Sequence, residues 1–261
     1  MKYKNKINFK SILKKYRYQL NPGDIVAGFI KYQEFQGFLI DIGDNIAGYL
    51  PFEEIKIITK ENDYNIDHCL YLTREFFLIK HNIKYKESIL SIKRLEYMRA
   101  WKRIQEIDTE DIVLTLQIYN INKGGIITHV EGIQGFIPNS HQYIIQKNSF
   151  NIKKNKKIQC KLLMISQNNN EIILSQKSAL LHLSKHKFRF GELIYGTIIS
   201  IENYGIFIDV YGILGLLHIS EISLSYIENI HIKFYIGQII KVKIIHINKK
   251  QGRLSISTKH L

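Results

Sequence analysis

Cysteine, proline and tryptophan are scarce in this chain of 261 residues, which contains two, three and one of them respectively. Cys69 and Cys160 stand far apart, and neither belongs to a CxxC pair or to a histidine cluster at ligand spacing. These absences argue against a disulfide framework and a structural metal site, and they suit a reducing compartment.

Long apolar runs are also missing. The N-terminal segment, residues 1–20, is basic but lacks the apolar core of a signal peptide, and no later stretch is long and apolar enough to cross a bilayer. The sequence therefore predicts a soluble protein with no membrane among its partners.

Acidic residues are outnumbered by basic ones. The chain has 23 Asp and Glu residues against 37 Lys and Arg residues, a net charge of +14 at pH 7, yet 45% of its residues are hydrophobic. Such a chain has enough apolar residues to fold, and its positive charge attracts polyanions.

Catalytic signatures are absent as well. The carboxylates occur singly or in pairs such as Glu53-Glu54, and the chain contains no P-loop or GxSxG string. Metal-assisted or nucleophilic chemistry needs such clusters. We therefore expect no enzyme activity, no cofactor and no small-molecule substrate.

Three stretches of the chain share one pattern of glycines and alternating apolar residues. The first glycines of the three stretches are Gly37, Gly125 and Gly205. Each stretch is followed at a similar distance by a Leu/Ile-Ser-x-Lys ending, whose lysines are Lys93, Lys177 and Lys259. A spacing of about 80 to 90 residues indicates a small repeated domain rather than a solenoid.

Each repeat has the pattern of a small β-domain. In the third repeat, β-branched and aromatic residues predict strands at 193–201, 205–210, 214–219, 238–247 and 253–257. Five short strands with a longer connection after the third are typical of a Greek-key barrel of the OB type. We predict an all-β fold of three tandem five-stranded OB-fold barrels joined by short helical linkers.

A different pattern lies between the first two repeats. Leu95, Met98 and Trp101 recur at helical spacing with charges between them, which predicts a linker helix. Trp101 could in principle stack on a nucleic-acid base, but an aromatic residue on the apolar stripe of a helix usually belongs to a core.

These patterns predict six successive segments. They are a basic N-terminal segment at 1–20, a first repeat at 21–93, the linker helix at 94–108, a second repeat at 109–177, a basic linker at 178–189 and a third repeat at 190–261.

Aromatic residues in the third repeat fall on a face that should be polar. Strand alternation sends Ile206 and Ile208 to one side and Phe207 to the other. Tyr204 lies three positions before Phe207, and Gly205 between them would permit a bulge or bend that brings both rings to one surface. The alternative is that Tyr204 and Phe207 cap one end of the barrel core.

Cations lie close to these rings in the predicted barrel. His218 is on the neighbouring strand, and Arg253 begins the last one. Rings that stack bases, beside cations that bind phosphates, are what sequence-tolerant binding of single strands requires.

The third repeat resembles the RNA-binding repeat of ribosomal protein S-one. The resemblance extends from Gly191 to Lys259 and is carried by the strings Gly-Thr-Ile-Ile-Ser-Ile-Glu-Asn-Tyr-Gly-Ile-Phe-Ile-Asp-Val and Gly-Leu-Leu-His-Ile-Ser-Glu. It implies an RNA-binding surface lined by Tyr204, Phe207, His218, Asn248 and Arg253. Asn248 replaces the acidic residue of the family, in a loop with one extra residue.

The resemblance covers the rest of the chain too. The linker helix, Asn-Lys-Gly-Gly at 122–125 and Gly-Phe-Ile-Pro-Asn-Ser-His at 135–141 are similar to the three-repeat form of this family in cyanobacteria and plastids. The resemblance implies a constituent of the small ribosomal subunit, in contact with rRNA and ribosomal proteins, that binds single-stranded mRNA and assists its recruitment in initiation.

Two alternatives to this function and setting stay open. The same repeats occur in ribosome-independent accessory factors of RNA decay or transcription. The abundance of Ile, Lys and Asn favours synthesis from an AT-rich plastid genome, which places the protein on ribosomes of the chloroplast stroma, but the cytoplasm of an AT-rich bacterium is the alternative.

The repeats differ at the residues expected to bind RNA. The positions of Tyr204, Phe207 and His218 hold Gln36, Leu39 and Pro51 in the first repeat and Gly124, Ile127 and Pro138 in the second. The first two repeats should therefore bind single strands poorly through this face and could instead dock on the ribosome. The alternative is that the residues have drifted and all three repeats still bind weakly.

Two basic runs add positive charge. They consist of Lys153, Lys154, Lys156, Lys157 and Lys161 in the second repeat and of Lys185, His186, Lys187 and Arg189 in the linker that follows. Together they would give a positive surface along which a phosphate backbone could lie.

Overall fold

Three β-domains follow one another along the chain. A computed structural model describes residues 19–55, 73–143, 156–223 and 230–259. Residues 1–18 of the predicted basic segment, Cys69, and Lys153 and Lys154 of the first basic run lie outside the described residues. The chain divides into two compact units, one ending at Arg103 and including 131–133, the other containing the remaining residues.

The first domain is a closed barrel of five strands in the order β1-β2-β3-β5-β4. The strands are β1 (Ile25–Glu34), β2 (Gly37–Asp41), β3 (Gly48–Pro51), β4 (Thr73–Asn82) and β5 (Glu87–Ser91). Strands β3 and β5 pair in parallel and the other pairs are antiparallel. Alternate residues of the strands, among them Ile40 and Leu78, fill the barrel core.

The predicted linker helix is present as α1 (Lys93–Thr109). The hydroxyl of Ser91 accepts a hydrogen bond from the backbone N–H of Arg94 at 2.9 Å and so caps the first turn. Trp101 is 1% exposed, so its ring belongs to a core and is closed to nucleic-acid bases. Met98, which the helical spacing placed on the apolar stripe, is exposed instead.

The second domain is a curled sheet in the order β6-β10-β11-β9-β8-β7. Its strands are β6 (Leu114–Gln117), β7 (Asn120–Ile121), β8 (Gly125–Val130), β9 (Ile133–Pro138), β10 (Lys157–Ser166) and β11 (Glu171–Ser175). The expected first strand is split into β6 and β7. The N–H of Ile118 donates to Lys156 at 3.0 Å and that of Tyr119 to Ile127 at 3.0 Å, so the chain changes partners at this point.

The third domain is a closed barrel in the order β12-β13-β14-β16-β15. Its elements are β12 (Leu193–Glu202), β13 (Gly205–Val210), β14 (Ile213–His218), α3 (Ile230–Lys233), β15 (Ile239–Asn248) and β16 (Arg253–Ser257). All five predicted strands are confirmed, as is the all-β class. The stretch predicted as a basic linker is helical in its first part, because α2 (Gln176–Leu183) follows β11 directly.

The first glycine of each repeat is required by a close approach of two strands. A Cβ at Gly37, Gly125 or Gly205 would overlap a carbonyl oxygen of the neighbouring strand. None of these three glycines has a positive φ. The pairing from Ser200–Phe207 to Glu202–Gly205 is continuous, so the chain has no bulge at Gly205 and instead bends in the turn at residues 203–204. The irregularity in pairing lies on β12, between Ile198 and Ser200.

Among the described residues, no helix is both long and apolar enough to span a membrane.

Two adjacent glycines test the strand-approach explanation. Gly125→Ala should destabilise the second domain by about 1–3 kcal/mol, because the added methyl group has no space. Gly124→Ala is the matched control, since a Cβ there would lie at an ordinary 3.5 Å from Phe136. Thermal unfolding of the full chain should show a lowered Tm for Gly125→Ala alone, and equal Tm values for the two variants would contradict the explanation.

Candidate nucleic-acid interface

Two aromatic rings meet on the surface of the third barrel. Tyr204 lies in the turn between β12 and β13 and is 51% exposed. Phe207 points outward from β13 and is partly buried, whereas Ile206 and Ile208 are fully buried in the core. The ring centroids of Tyr204 and Phe207 are 6.1 Å apart with the planes at 86°, an edge-to-face pair.

The two rings line a cavity of about 510 Å³. Its lining residues are Ser140, Lys177, Ile199, Ser200, Tyr204, Phe207, Leu214, Leu216 and Arg253. Arg253 lies at the start of β16, and its side chain is exposed. The cavity thus combines an apolar surface, two aromatic rings and two cations, which suits a base and the phosphate next to it.

The other two predicted residues lie outside this cavity. His218 is exposed at the end of β14, where its Nδ1 accepts a hydrogen bond from the backbone N–H of Ser220 at 3.2 Å. The side-chain oxygen of Asn248 accepts from the backbone N–H of Gln251 at 2.9 Å and so closes the β15–β16 turn. Tyr204, Phe207 and Arg253 line the cavity, and the other two residues pair with its neighbours. His218 lies opposite Gly205 across β13 and β14, and Asn248 lies opposite Arg253 across β15 and β16.

Lys177 and Ser140 were not predicted as site residues. Both come from the second repeat, and the Lys177 ammonium donates a hydrogen bond to the carbonyl oxygen of Ser140 at 2.7 Å. In the sequence, Lys177 stands out only as the end of a repeated Leu/Ile-Ser-x-Lys string. In the third repeat the corresponding Lys259 lies 3.9 Å from the carboxylate of Glu221.

A substitution in the second repeat removes that carboxylate. In each repeat a short 3-10 turn follows directly after one strand: β3, β9 or β14. The last residue of this turn is Glu54 in the first repeat, His141 in the second and Glu221 in the third. His141 instead places its Nδ1 3.0 Å from the hydroxyl of Ser175. Comparing the three repeats at this position would have singled out Lys177, which has no carboxylate beside it there.

A direct contact between the second and third repeats sets the position of Arg253. Gly252, in the β15–β16 turn, has φ +64° and packs against the backbone of Lys177 and Ser178, leaving no space for a Cβ. The hydroxyl of Ser178 donates to the carbonyl oxygen of Lys249, in the same turn, at 2.8 Å. The turn of the third barrel is thus seated on the first turn of α2, with Arg253 next to the contact.

The junction carries uncompensated positive charge. Burial, and after it the charges of Arg253 and Lys177, lower the pKa of His141. Burial and the charge of Arg253 lower the pKa of Lys177. None of the described residues that line the cavity is acidic. Anions are therefore favoured at this junction.

The corresponding face of the first barrel has a different character. It holds a cavity of about 550 Å³ lined in part by Leu39, Tyr49 and Glu87. Glu87 begins β5, as Arg253 begins β16, and its carboxylate pairs with Lys80 at 2.7 Å. Phe38, next to Leu39, is buried in the core.

The second barrel also carries a glutamate at the arginine position. Glu171 begins β11. The first two repeats thus have an acidic residue where the third has arginine. This difference in charge adds to the difference in aromatic residues, and both are visible in the sequence.

Comparison with known proteins agrees with these observations. A protein-family model described as the S1 RNA binding domain matches residues 108–177 and 187–259, the second and third repeats. The second and third repeats are thus RNA-binding domains of the S1 type.

Relatives that align with 97% of this chain identify the family of the chain as a whole. The chain is 48% identical over 258 residues to small ribosomal subunit protein bS1c of Pyropia yezoensis, covering 97% of this chain and 95% of the relative. It is 37% identical to bS1 of a Synechococcus species, covering 97% and 82%, and 32% identical to bS1c of Spinacia oleracea, covering 97% and 61%. The chain belongs to the bS1 family of small ribosomal subunit proteins.

The pKa of His141 reports the charge at the junction. Lys177→Gln should raise this pKa, because the substitution removes a neighbouring cation that disfavours the protonated imidazole. Lys259→Gln is the matched control, since it removes the lysine at the same position of the third repeat. An NMR titration of the imidazole signals measures both, and an unchanged His141 pKa in Lys177→Gln would contradict the proximity of the two groups.

Proposed function

We propose that this chain is a constituent of the small ribosomal subunit that binds single-stranded mRNA through its third repeat and assists mRNA recruitment in initiation. The single observation that carries the proposal is the cavity of the third repeat, where Tyr204 and Phe207 adjoin Arg253. Membership of the bS1 family supports the ribosomal setting.

The chemistry of the cavity favours a single strand over a duplex. Bases that are free of pairing can leave their stack and lie against Tyr204 and Phe207, whereas paired bases cannot. Stacking depends on the face of the base, which all four bases have, so binding should tolerate many sequences. The net charge of +14 adds a general attraction for phosphate.

We propose a division of labour among the repeats. The first two lack the aromatic pair and carry Glu87 and Glu171 where the third has Arg253. Neither carboxylate can bind a phosphate as Arg253 can, and that of Glu87 is already paired with Lys80. These repeats therefore bind mRNA weakly through this face and are free to contact rRNA and ribosomal proteins.

We propose a plastid setting, on ribosomes of the chloroplast stroma. The relatives from Pyropia yezoensis, Porphyra purpurea and Spinacia oleracea, organisms that contain plastids, are all named bS1c. The cyanobacterial relatives are compatible with the alternative of a bacterial cytoplasm.

Phe207→Ala tests the RNA-binding face. Loss of one stacking platform should weaken binding of a single-stranded oligouridylate by about 1–3 kcal/mol. Because the ring is only partly buried, stability should fall by less than the about 3–5 kcal/mol typical of a core phenylalanine. Fluorescence titrations and thermal melts of the full chain measure the two effects.

Leu39→Ala is the matched control for Phe207→Ala. Leu39 occupies the corresponding position on β2 of the first barrel, so this variant should bind the oligouridylate like the parent chain. Equal losses in the two variants, or tighter binding of a duplex than of the single strand, would overturn the assignment of mRNA binding to the third repeat.

Sedimentation tests the ribosomal setting. In sucrose gradients of a native extract, the chain should travel with the small subunit at low salt, and the bound fraction should fall at high salt as charge contacts are screened. A chain that remains free under both conditions would favour a ribosome-independent factor of RNA decay or transcription.

A further inference from the structure

Two cations from different repeats face one cavity. Lys177 comes from the first turn of α2, and Arg253 comes from the first residue of β16. Both line the cavity of about 510 Å³ that also contains the rings of Tyr204 and Phe207. The packing of Gly252 against the backbone of Lys177 holds the two cations in this arrangement.

The two cations lack a carboxylate that would neutralise them. In the part of the chain that the structure describes, no ion pair joins Lys177 or Arg253 to an acidic side chain. Lys259 occupies the same position in the third repeat, and there the carboxylate of Glu221 neutralises the lysine within the barrel. Two like charges beside a partly buried cavity repel each other, and an anion between them removes that repulsion.

The position of the cations relative to the rings indicates which anion fits. In a single strand, each base is attached through its sugar to a backbone phosphate. A strand whose base lies against Tyr204 or Phe207 therefore brings phosphates to the rim of the same cavity. Lysine binds phosphate as a point charge, and the arginine fork binds it through paired N–H groups.

We infer that Lys177 and Arg253 form a phosphate-binding site at the junction of the second and third repeats, which holds the backbone of the strand whose bases stack on Tyr204 and Phe207. This inference rests on the proposed function of the third repeat. It assigns an RNA contact to the second repeat, although that repeat has no aromatic pair of its own. The RNA-binding site of the third repeat is then incomplete without the first turn of α2, which carries Lys177.

The test uses Lys177→Gln in the full chain, with Lys259→Gln as the matched control. Glutamine keeps a side-chain N–H donor for the Ser140 carbonyl, so the junction should remain folded, which a thermal melt verifies. The probe is a single-stranded oligouridylate, titrated at several salt concentrations by fluorescence anisotropy. Loss of one phosphate contact should reduce the slope of log affinity against log salt by about 0.7 in Lys177→Gln.

This change in slope corresponds to an affinity loss at moderate salt. If the salt curves of the parent chain and Lys177→Gln meet near 1 M, affinity at 0.1 M should fall by about fivefold. Lys259→Gln should keep the parent slope. Arg253→Ala combined with Lys177→Gln should lose roughly two such contributions, because each cation meets backbone charge.

The pKa of His141 gives a second measurement. Saturating the parent chain with the oligouridylate should raise this pKa, because a bound phosphate offsets the two cations near the imidazole. The rise should be smaller in Lys177→Gln, which lacks one of the two phosphate ligands. An imidazole whose pKa does not respond to RNA would overturn the inference.

The outcomes separate this inference from the proposed function. If Phe207→Ala weakens binding but Lys177→Gln and Lys259→Gln have the same salt slope, the third repeat binds RNA without the second and the inference is wrong. If the parent chain does not bind the oligouridylate, or if Phe207→Ala has no effect on binding, the proposed function fails and the phosphate site fails with it.

Discussion

The contact between the β15–β16 turn and the first turn of α2 determines what the second and third repeats can do together. Gly252 packs against the backbone of Lys177 and Ser178, and the Ser178 hydroxyl donates to Lys249. A side chain at residue 252 would overlap that backbone, and φ of +64° there favours glycine as well. Because Arg253 follows directly, this contact sets the distance between the cations of the two repeats.

The repeats differ in charge at two equivalent positions, and we link these differences to their proposed functions. The first residue of the last strand is Glu87, Glu171 or Arg253, and the residue that ends the 3-10 turn is Glu54, His141 or Glu221. The second repeat has no carboxylate at the turn position beside Lys177, and the third repeat has a cation beside its aromatic pair. These residues begin a strand or end a turn, outside the buried core. One stable scaffold thus supports different surfaces.

Local patterns predicted most of the fold. Alternation of apolar residues gave the strands of the third barrel, and helical spacing gave α1, because both signals depend on neighbours within a few residues. The split of the first strand of the second domain was not predictable in this way. It depends on Ile118 donating to Lys156, which is distant in sequence, while Tyr119 donates to Ile127 of β8.

The same distinction between local signals and distant contacts applies to the residues of the candidate site. Strand alternation is local, so it predicts that Phe207 points outward. A bend beside Gly205 brings Tyr204 next to it, without a bulge in the β12–β13 pairing there. Lys177 was missed because its position depends on packing between two repeats. Asn248 was predicted from resemblance alone; it lies opposite Arg253, and its side chain closes the turn between them.

Photocrosslinking of a single-stranded oligouridylate to the full chain, with the attached peptides identified by mass spectrometry, tests most directly that the third repeat is the RNA-binding surface. The account predicts that crosslinks concentrate on the segment containing Tyr204 and Phe207. Crosslinks spread evenly over the three repeats, or concentrated on the first barrel, would contradict it.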